Sequence, residues 1–282
     1  PKMVNSTSGR IHTNYNQAVA ITGRLASSEP NLQNIPIKTE EGRKVRKAFI
    51  AKQDALILSC DYSQIELRIM AHLSQDAGLI ESFQQNEDIH KATASKIFNM
   101  SPADISSEQR RFAKVINFGL IYGMSAFGLA QTLNIDRNSS KNFIEQYFEK
   151  YPGVKNYMDI SKIKAKDQGY VETIFGRKLW VPEINSSNGM RRAAAERASI
   201  NAPMQGTAAD LIKMAMNKVQ NWLANKKLKS MIIMQVHDEL VLEVPKEELD
   251  IIKKEVPSIM SEVASLDVPL IADIGSGINW DE

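Results

Sequence analysis

The stretch that decides the architecture is Met231-Ile232-Ile233-Met234-Gln235-Val236-His237-Asp238-Glu239-Leu240-Val241-Leu242-Glu243-Val244. Two aliphatic, β-branched runs meet at a short polar break, which reads as a tight hairpin of strands Met231–Val236 and Glu239–Val244 turning at His237-Asp238. A second apolar run, Ala55–Cys60, is terminated by Asp61, and Ala55–Asp61 reads as another strand. A further strand is predicted over Pro269–Gly275, and one near the other end over Gln17–Thr22, followed by an ordered Ser-, Pro- and Asn-rich loop from Gly23 to Ile37.

Between these ends the period changes. From about Ile65 to Gln168 the pattern is helical, with Gly169 as the stop. Ser106-Ser107-Glu108-Gln109 fits a capping box, and Pro152-Gly153 separates two helical stretches. Val171–Phe175 and Lys178–Val181 flank Gly176-Arg177, which suggests a hairpin with a two-residue turn. Asn188–Asn201 and Gln205–Leu223 read as two helices broken at Pro203, which lacks the N–H a helix interior needs. Strands at both ends with helices between them predict an α+β fold, a sheet platform carrying a large helical insertion.

Composition narrows the classes. The 282 residues include 35 Lys+Arg and 33 Asp+Glu, with 43% hydrophobic and 24% charged residues, which excludes a disordered or fibrous chain. The net charge of +2 hides a split: residues 231–282 carry −9 and the rest +11. Opposite signs in the two parts suggest a polyanion surface joined to a carboxylate-rich region. No apolar run approaches the roughly 18–20 residues of a membrane span, so no membrane partner is expected. The lone Cys60 precludes an internal disulfide and fits a reducing, cytoplasmic compartment. The N-terminal residues lack the order of a signal peptide, and a start at Pro1 suggests a fragment or a processed chain.

Asp61 and Asp238 each stand at the end of a strand. Two such carboxylates, brought together by neighbouring strands, form a hard oxygen site suited to Mg²⁺ and to two-metal phosphoryl transfer. A turn aspartate explains either one alone. The adjacent acids Asp238-Glu239 at a hairpin turn are less easily explained that way, because like charges repel and Asn-Gly or Asp-Gly is the usual choice.

Arg110, Lys114, Phe118 and Tyr122 recur every four residues and share a helix face. The cations lie toward the positive end of the helix dipole, where anions bind, and the aromatic rings offer a stacking surface. Gly123 permits close approach of another backbone or a base. An amphipathic helix with a solvated basic side is the simpler alternative, but it would separate the cations from the rings.

Three segments together resemble the polymerase motifs of family A DNA polymerases, and of their bacterial members in particular: Asp61-Tyr62-Ser63-Gln64-Ile65-Glu66-Leu67-Arg68, the Arg110–Gly123 series, and Gln235-Val236-His237-Asp238-Glu239. The resemblance runs from Thr22-Gly23-Arg24-Leu25 and Asn31-Leu32-Gln33-Asn34-Ile35-Pro36 to Gly275-Ser276-Gly277. It implies a right-hand polymerase fold with an antiparallel palm sheet: palm in residues 1–70 and 225–282, fingers and connecting helices in 71–224. It implies template-directed DNA synthesis from dNTP substrates on primer–template DNA, with two Mg²⁺ ions held by Asp61 and Asp238.

The same resemblance implies the remaining roles. Glu239 is a supporting acid, and Lys114 is a candidate acid for the leaving pyrophosphate. Arg110, Lys114 and His90 contact nucleotide phosphates. Phe118 packs on the sugar in the form that discriminates against dideoxynucleotides, and Tyr122 lies at the template base. Gln64 belongs to the nucleotide-binding set, and Glu66 is the steric gate where a ribose 2′-OH would fall. Arg24, Arg197, Asn201, Gln205 and His237 contact DNA, some through minor-groove positions that report pair geometry rather than sequence. The thumb and the exonuclease domains of the family have no counterpart in this chain, which points to a piece of a longer polymerase. A single-subunit RNA polymerase, another two-metal enzyme, and a silent DNA-binding fragment are the rival readings.

Overall fold

The computed structural model describes residues 2–37 and 39–281. The elements in chain order are β1 (Asn14–Asn16), β2 (Ala26–Ser28), α1 (Glu40–Lys47), β3 (Ala55–Tyr62), α2 (Ile65–Ser74), α3 (Ala77–Gln84), α4 (Ile89–Phe98) and α5 (Ser107–Ile121). They continue with α6 (Ala126–Leu133), α7 (Arg137–Lys150), α8 (Pro152–Gln168), β4 (Tyr170–Glu172), β5 (Lys178–Trp180) and α9 (Gly189–Asn225). The chain closes with β6 (Met231–Val236), β7 (Glu239–Pro245), α10 (Leu249–Ser261) and β8 (Ala272–Gly277). It divides into two compact units. The first holds the residues up to Ile65, Ala208–Ser265 and the residues from Leu270 onward, and the second holds Glu66–Thr207 and Leu266–Pro269.

The first unit is built on a four-stranded antiparallel sheet in the order β6-β7-β3-β8. β3 is central because it is apolar on both faces: Leu58 and Cys60 are fully buried, and Ile57 and Tyr62 nearly so. Helix α10 presents Ile252, Val256 and Met260, spaced four apart and all fully buried, and packs against β3, β7 and β8. The Tyr62 hydroxyl donates to the Met260 carbonyl at 2.6 Å, which satisfies the one polar atom of an otherwise apolar side chain. A separate cluster gathers Leu32, Ile57, Met234, Val236, Val241 and Trp280.

The second unit is helical apart from the short β4–β5 ladder. Its helix ends carry their own signals. Ser106 and Gln109 form the reciprocal capping box at the start of α5. Asp76 caps α3 through one carboxylate oxygen and accepts the Gly153 N–H at 2.8 Å through the other. Gly169 ends α8 at φ +79°, where a side chain would be strained.

Several expectations are corrected. Gln17–Thr22 is not a strand: Val19 and Ile21 are exposed, no ladder partner among the described residues reaches them, and the ladder forms instead between β1 and β2 on either side. β2 therefore lies within the segment read as a loop. The β4–β5 turn is five residues long, not two, because the Thr173 hydroxyl accepts the N–H groups of Phe175 and Arg177 and closes a longer turn. The last strand is Ala272–Gly277, shifted along the chain by its pairing with β3. Helix α9 runs unbroken through Pro203. A proline inside a helix costs about 3 kcal/mol, and burial of Ile200, Ala202, Met204, Ala208 and Leu211 around it offsets that.

Candidate active site

In the first unit the register of the sheet sets the chemistry. Asp61 pairs with Glu239 of β7 on one side and with Asp273 of β8 on the other. Directly opposite side chains on a sheet lie about 4.5–5.5 Å apart at Cβ, so three acids stand side by side. Asp238 adds a fourth from the β6–β7 turn, where His237 takes φ +54° and the Asp238 carbonyl accepts the Tyr62 N–H at 3.2 Å.

Like charges at this spacing repel, and the titration of Asp61 reflects it. Burial of its carboxylate, followed by the charges of Asp238, Glu239 and Asp273, pushes it up to about 7, although the Tyr62 N–H works against the rise. The Asp238 carboxyl is also raised, by burial first, with Arg24 opposing the shift. Glu239 is held differently: its Oε1 accepts from the Ser59 hydroxyl and, at 3.0 Å, from the indole Nε1 of Trp280. A donor on β3 and one from beyond β8 thus fix its carboxylate.

Among the described residues no group of three or more His, Cys, Asp and Glu is gathered as a ready-made metal cage. The donor set nonetheless fits a divalent cation: all its ligands are hard carboxylate oxygens, and their mutual repulsion is what a cation would relieve. Asp61 and Asp238 are the two whose carboxyls are raised, both by burial first, with the neighbouring acids adding to it. Asp273 escaped the sequence reading, because a single acid in the weak run Ala272–Gly277 carries no local signal.

Arg24 and His237 line a small pocket with Gln33, Lys213 and Gln235. Gln33 donates to the Gln235 backbone and side chain, and Gln235 exchanges backbone hydrogen bonds with the Tyr15 hydroxyl. Lys213 and Tyr15 are further polar residues that the sequence did not single out, and Gln33 lies in a segment that carries the family resemblance. Gln64 holds a left-handed backbone at φ +52° just before α2, and its buried Oε1 has no hydrogen-bond partner among the described residues.

In the second unit Lys114, Phe118 and Tyr122 line one open apolar groove of about 540 Å³, with Arg111, Val115, Gly119 and Met124. Arg110, one turn earlier, does not line it. Its Nε donates to Asp88 Oδ2 at 2.6 Å. The other Asp88 oxygen caps α4 by accepting from His90 and Lys91. Burial alone would raise the Asp88 carboxyl, but the Arg110 guanidinium and those N–H groups hold it below the usual carboxylate range. His90 is buried. Its ring lies 5.8 Å from that of Phe118.

Glu66 sits in the first turn of α2, where its charge complements the helix dipole. Because α9 is continuous, Arg197, Asn201 and Gln205 fall on one helix face, Arg197 exposed and the others half-buried. Asn201 donates to the Tyr122 carbonyl at 3.3 Å and keeps a buried, unpartnered Oδ1. Gly123, at φ +74°, admits the Arg197 side chain, whose Cγ would lie 3.3 Å from an added Cβ.

Among the described residues no helix is long and apolar enough to cross a membrane. DNA polymerase I of Pseudomonas aeruginosa is 55% identical over the whole chain, which spans 31% of that protein. DNA polymerase I of Bacillus subtilis is 48% identical over 99% of the chain, covering 32% of its own length. The chain thus spans about a third of the relatives it matches. The POL domain of Pol1 from M. smegmatis, solved in complex with DNA primer-template and dNTP, superposes with a TM-score of 0.95 at 48% identity, over 99% of this chain and 49% of that one. The family model for DNA polymerase family A matches residues 1–282, and the chain belongs to that family.

Proposed function

We propose that this chain is the palm and fingers of a DNA-directed DNA polymerase, part of a longer protein, and that it adds deoxynucleotides to a primer 3′-hydroxyl with release of pyrophosphate. The observation that carries this reading is the crowding of Asp61 with Glu239 and Asp273 on adjacent strands of one sheet and with Asp238 from the β6–β7 turn. The first unit is read as palm and the second as fingers.

Asp61 and Asp238 would hold two Mg²⁺ ions, which when bound activate the attacking oxygen and stabilise the leaving one. The Ser59 and Trp280 donors keep Glu239 in a supporting position beside them. On α5, Lys114 and Arg110 bind the nucleotide phosphates, Lys114 as a compact charge able to give a proton to the departing pyrophosphate and Arg110 as a fork. The Asp88 ion pair engages Nε and leaves the terminal nitrogens of Arg110 as donors. Phe118 packs on the sugar and Tyr122 at the template base, while His90 adds a phosphate contact. Gln64 supports nucleotide binding, and Glu66 excludes the ribose 2′-OH. Arg24 and His237 hold the primer end, and Arg197, Asn201 and Gln205 read the minor-groove edge of the new pair.

Primer extension in Mg²⁺ tests this, with Asp238→Ala as the control. Template-dependent extension lost in the variant is the expected result. Extension that survives the substitution would sink the assignment.

A further inference from the structure

Behind the α5 face lies a chain of polar side chains in the interior of the second unit. Tyr151, Thr93 and Asn117 are fully buried and His90 is 2% exposed. Thr93 Oγ1 shares its one proton between the Ile89 carbonyl at 2.8 Å and Asn117 Oδ1 at 3.0 Å, and lies 3.1 Å from the Tyr151 hydroxyl; the Asn117 amide nitrogen then lies 2.9 Å from His90 Nδ1. An amide nitrogen can only donate, so Nδ1 accepts, and the ring proton of a neutral imidazole must sit on Nε2. Nε2 has no hydrogen-bond partner among the described residues, nor is it among the polar atoms sealed from solvent. The inner edge of the ring is therefore tied, and Nε2 keeps its hydrogen-bonding capacity.

We propose that Asn117, backed by Thr93 and Tyr151, is a positioning residue that holds His90 as the neutral Nε2–H tautomer, so that His90 meets the nucleotide phosphate as a one-proton hydrogen-bond donor and not as a cation. This rests on the reading of His90 as a phosphate contact. Its charged surroundings agree with a neutral ring. Asp88 at the start of α4 favours the imidazolium, while Arg110 and Lys114 of α5 oppose it, and burial dominates, pushing His90 down to about 4. Arg110 and Lys114 already supply two positive charges, so a neutral donor adds direction without a third repelling charge.

The test is nitrogen NMR of the protein labelled with ¹⁵N at histidine, with the His90 signal assigned by its loss in His90→Gln. The expected spectrum has an unprotonated Nδ1 and a protonated Nε2 from about pH 8 down to about pH 5. A proton on Nδ1, which the reversed Asn117 amide would require, overturns the proposal. So does a ring that becomes cationic near the ordinary histidine pKa.

Steady-state kinetics give the second readout. In Asn117→Asp the carboxylate at position 117 accepts from Nδ1–H, and Nε2 loses its proton once the ring is neutral. The dNTP KM of that variant should rise about tenfold or more between about pH 6 and about pH 8.5, the size of a lost hydrogen bond to a charged group. The wild-type KM should stay flat over the same range, and a wild-type KM that rises equally counts against the proposal. Tyr151→Phe removes only the far donor and serves if Asn117→Asp does not fold; a mixed tautomer is expected, and an unchanged one denies Tyr151 its backing role. If the Nε2–H tautomer is found but His90→Gln leaves KM unchanged, the phosphate reading has failed and the tautomer assignment stands.

Discussion

Removing one neighbour of Asp61 should stabilise the metal-free protein, and only at high pH. Asp273 stands directly across from Asp61 on β8, so Asp273→Asn keeps shape and hydrogen bonding while deleting a charge. Two unit charges about 5 Å apart repel by about 1 kcal/mol in water and about 3 kcal/mol at the effective dielectric near a protein surface. Both side chains reach solvent even though the Asp61 carboxyl is partly desolvated, so solvent screening makes the lower figure apply, about 1 kcal/mol. Asp61 titrates near 7 in the folded chain against 3.8 ordinarily, so the native state binds the extra proton between those values. Stability from this group therefore falls as pH rises toward 7, and the penalty is complete above it. The substitution should raise the melting midpoint by roughly 2–4 °C at about pH 8 in chelator and by nothing measurable near pH 4, where Asp61 is protonated. Thermal denaturation at the two pH values is the assay. An equal gain at both, or a loss at pH 8, would refute the idea that carboxylate repulsion is stored at this site.

Other perturbations separate structure from function. Gly153→Ala should destabilise the second unit by about 1–3 kcal/mol in denaturant unfolding, because an added Cβ would meet the Asp76 Cα and side chain at 2.9 Å. Glu66→Ala should admit ribonucleotides, read as the ratio of NTP to dNTP incorporation on a primed template; unchanged sugar discrimination rejects the gate. Phe118→Tyr should raise dideoxynucleotide incorporation relative to dNTP, and an unchanged ratio would remove Phe118 from the sugar-contacting role.

What could be read from the chain follows from how local each signal was. The β6–β7 hairpin, β3, the Ser106 capping box and the Gly169 stop depend on neighbours within a few residues, and the structure places them as expected. The failures needed partners far along the chain. Val19 and Ile21 have strand-forming side chains but no opposing strand. Pro203 is tolerated because its helix is packed over its length. β8 takes its limits from its register with β3, more than two hundred residues earlier in sequence. The same non-local pairing makes Asp273 part of the carboxylate group, as tertiary packing makes Asn117 the partner of His90. The candidate acids and the α5 series were legible as residue types at telling positions, whereas the groups that position them were not.

The most direct measurement is single-turnover nucleotide incorporation by the protein on primed template in Mg²⁺, comparing Asp61→Asn and Asp238→Asn with the wild type. Each substitution preserves size and hydrogen bonding while removing one carboxylate ligand. The account predicts that either one lowers the rate by about a thousandfold or more, with primer–template binding retained. A rate within a few-fold of wild type in either variant would contradict it.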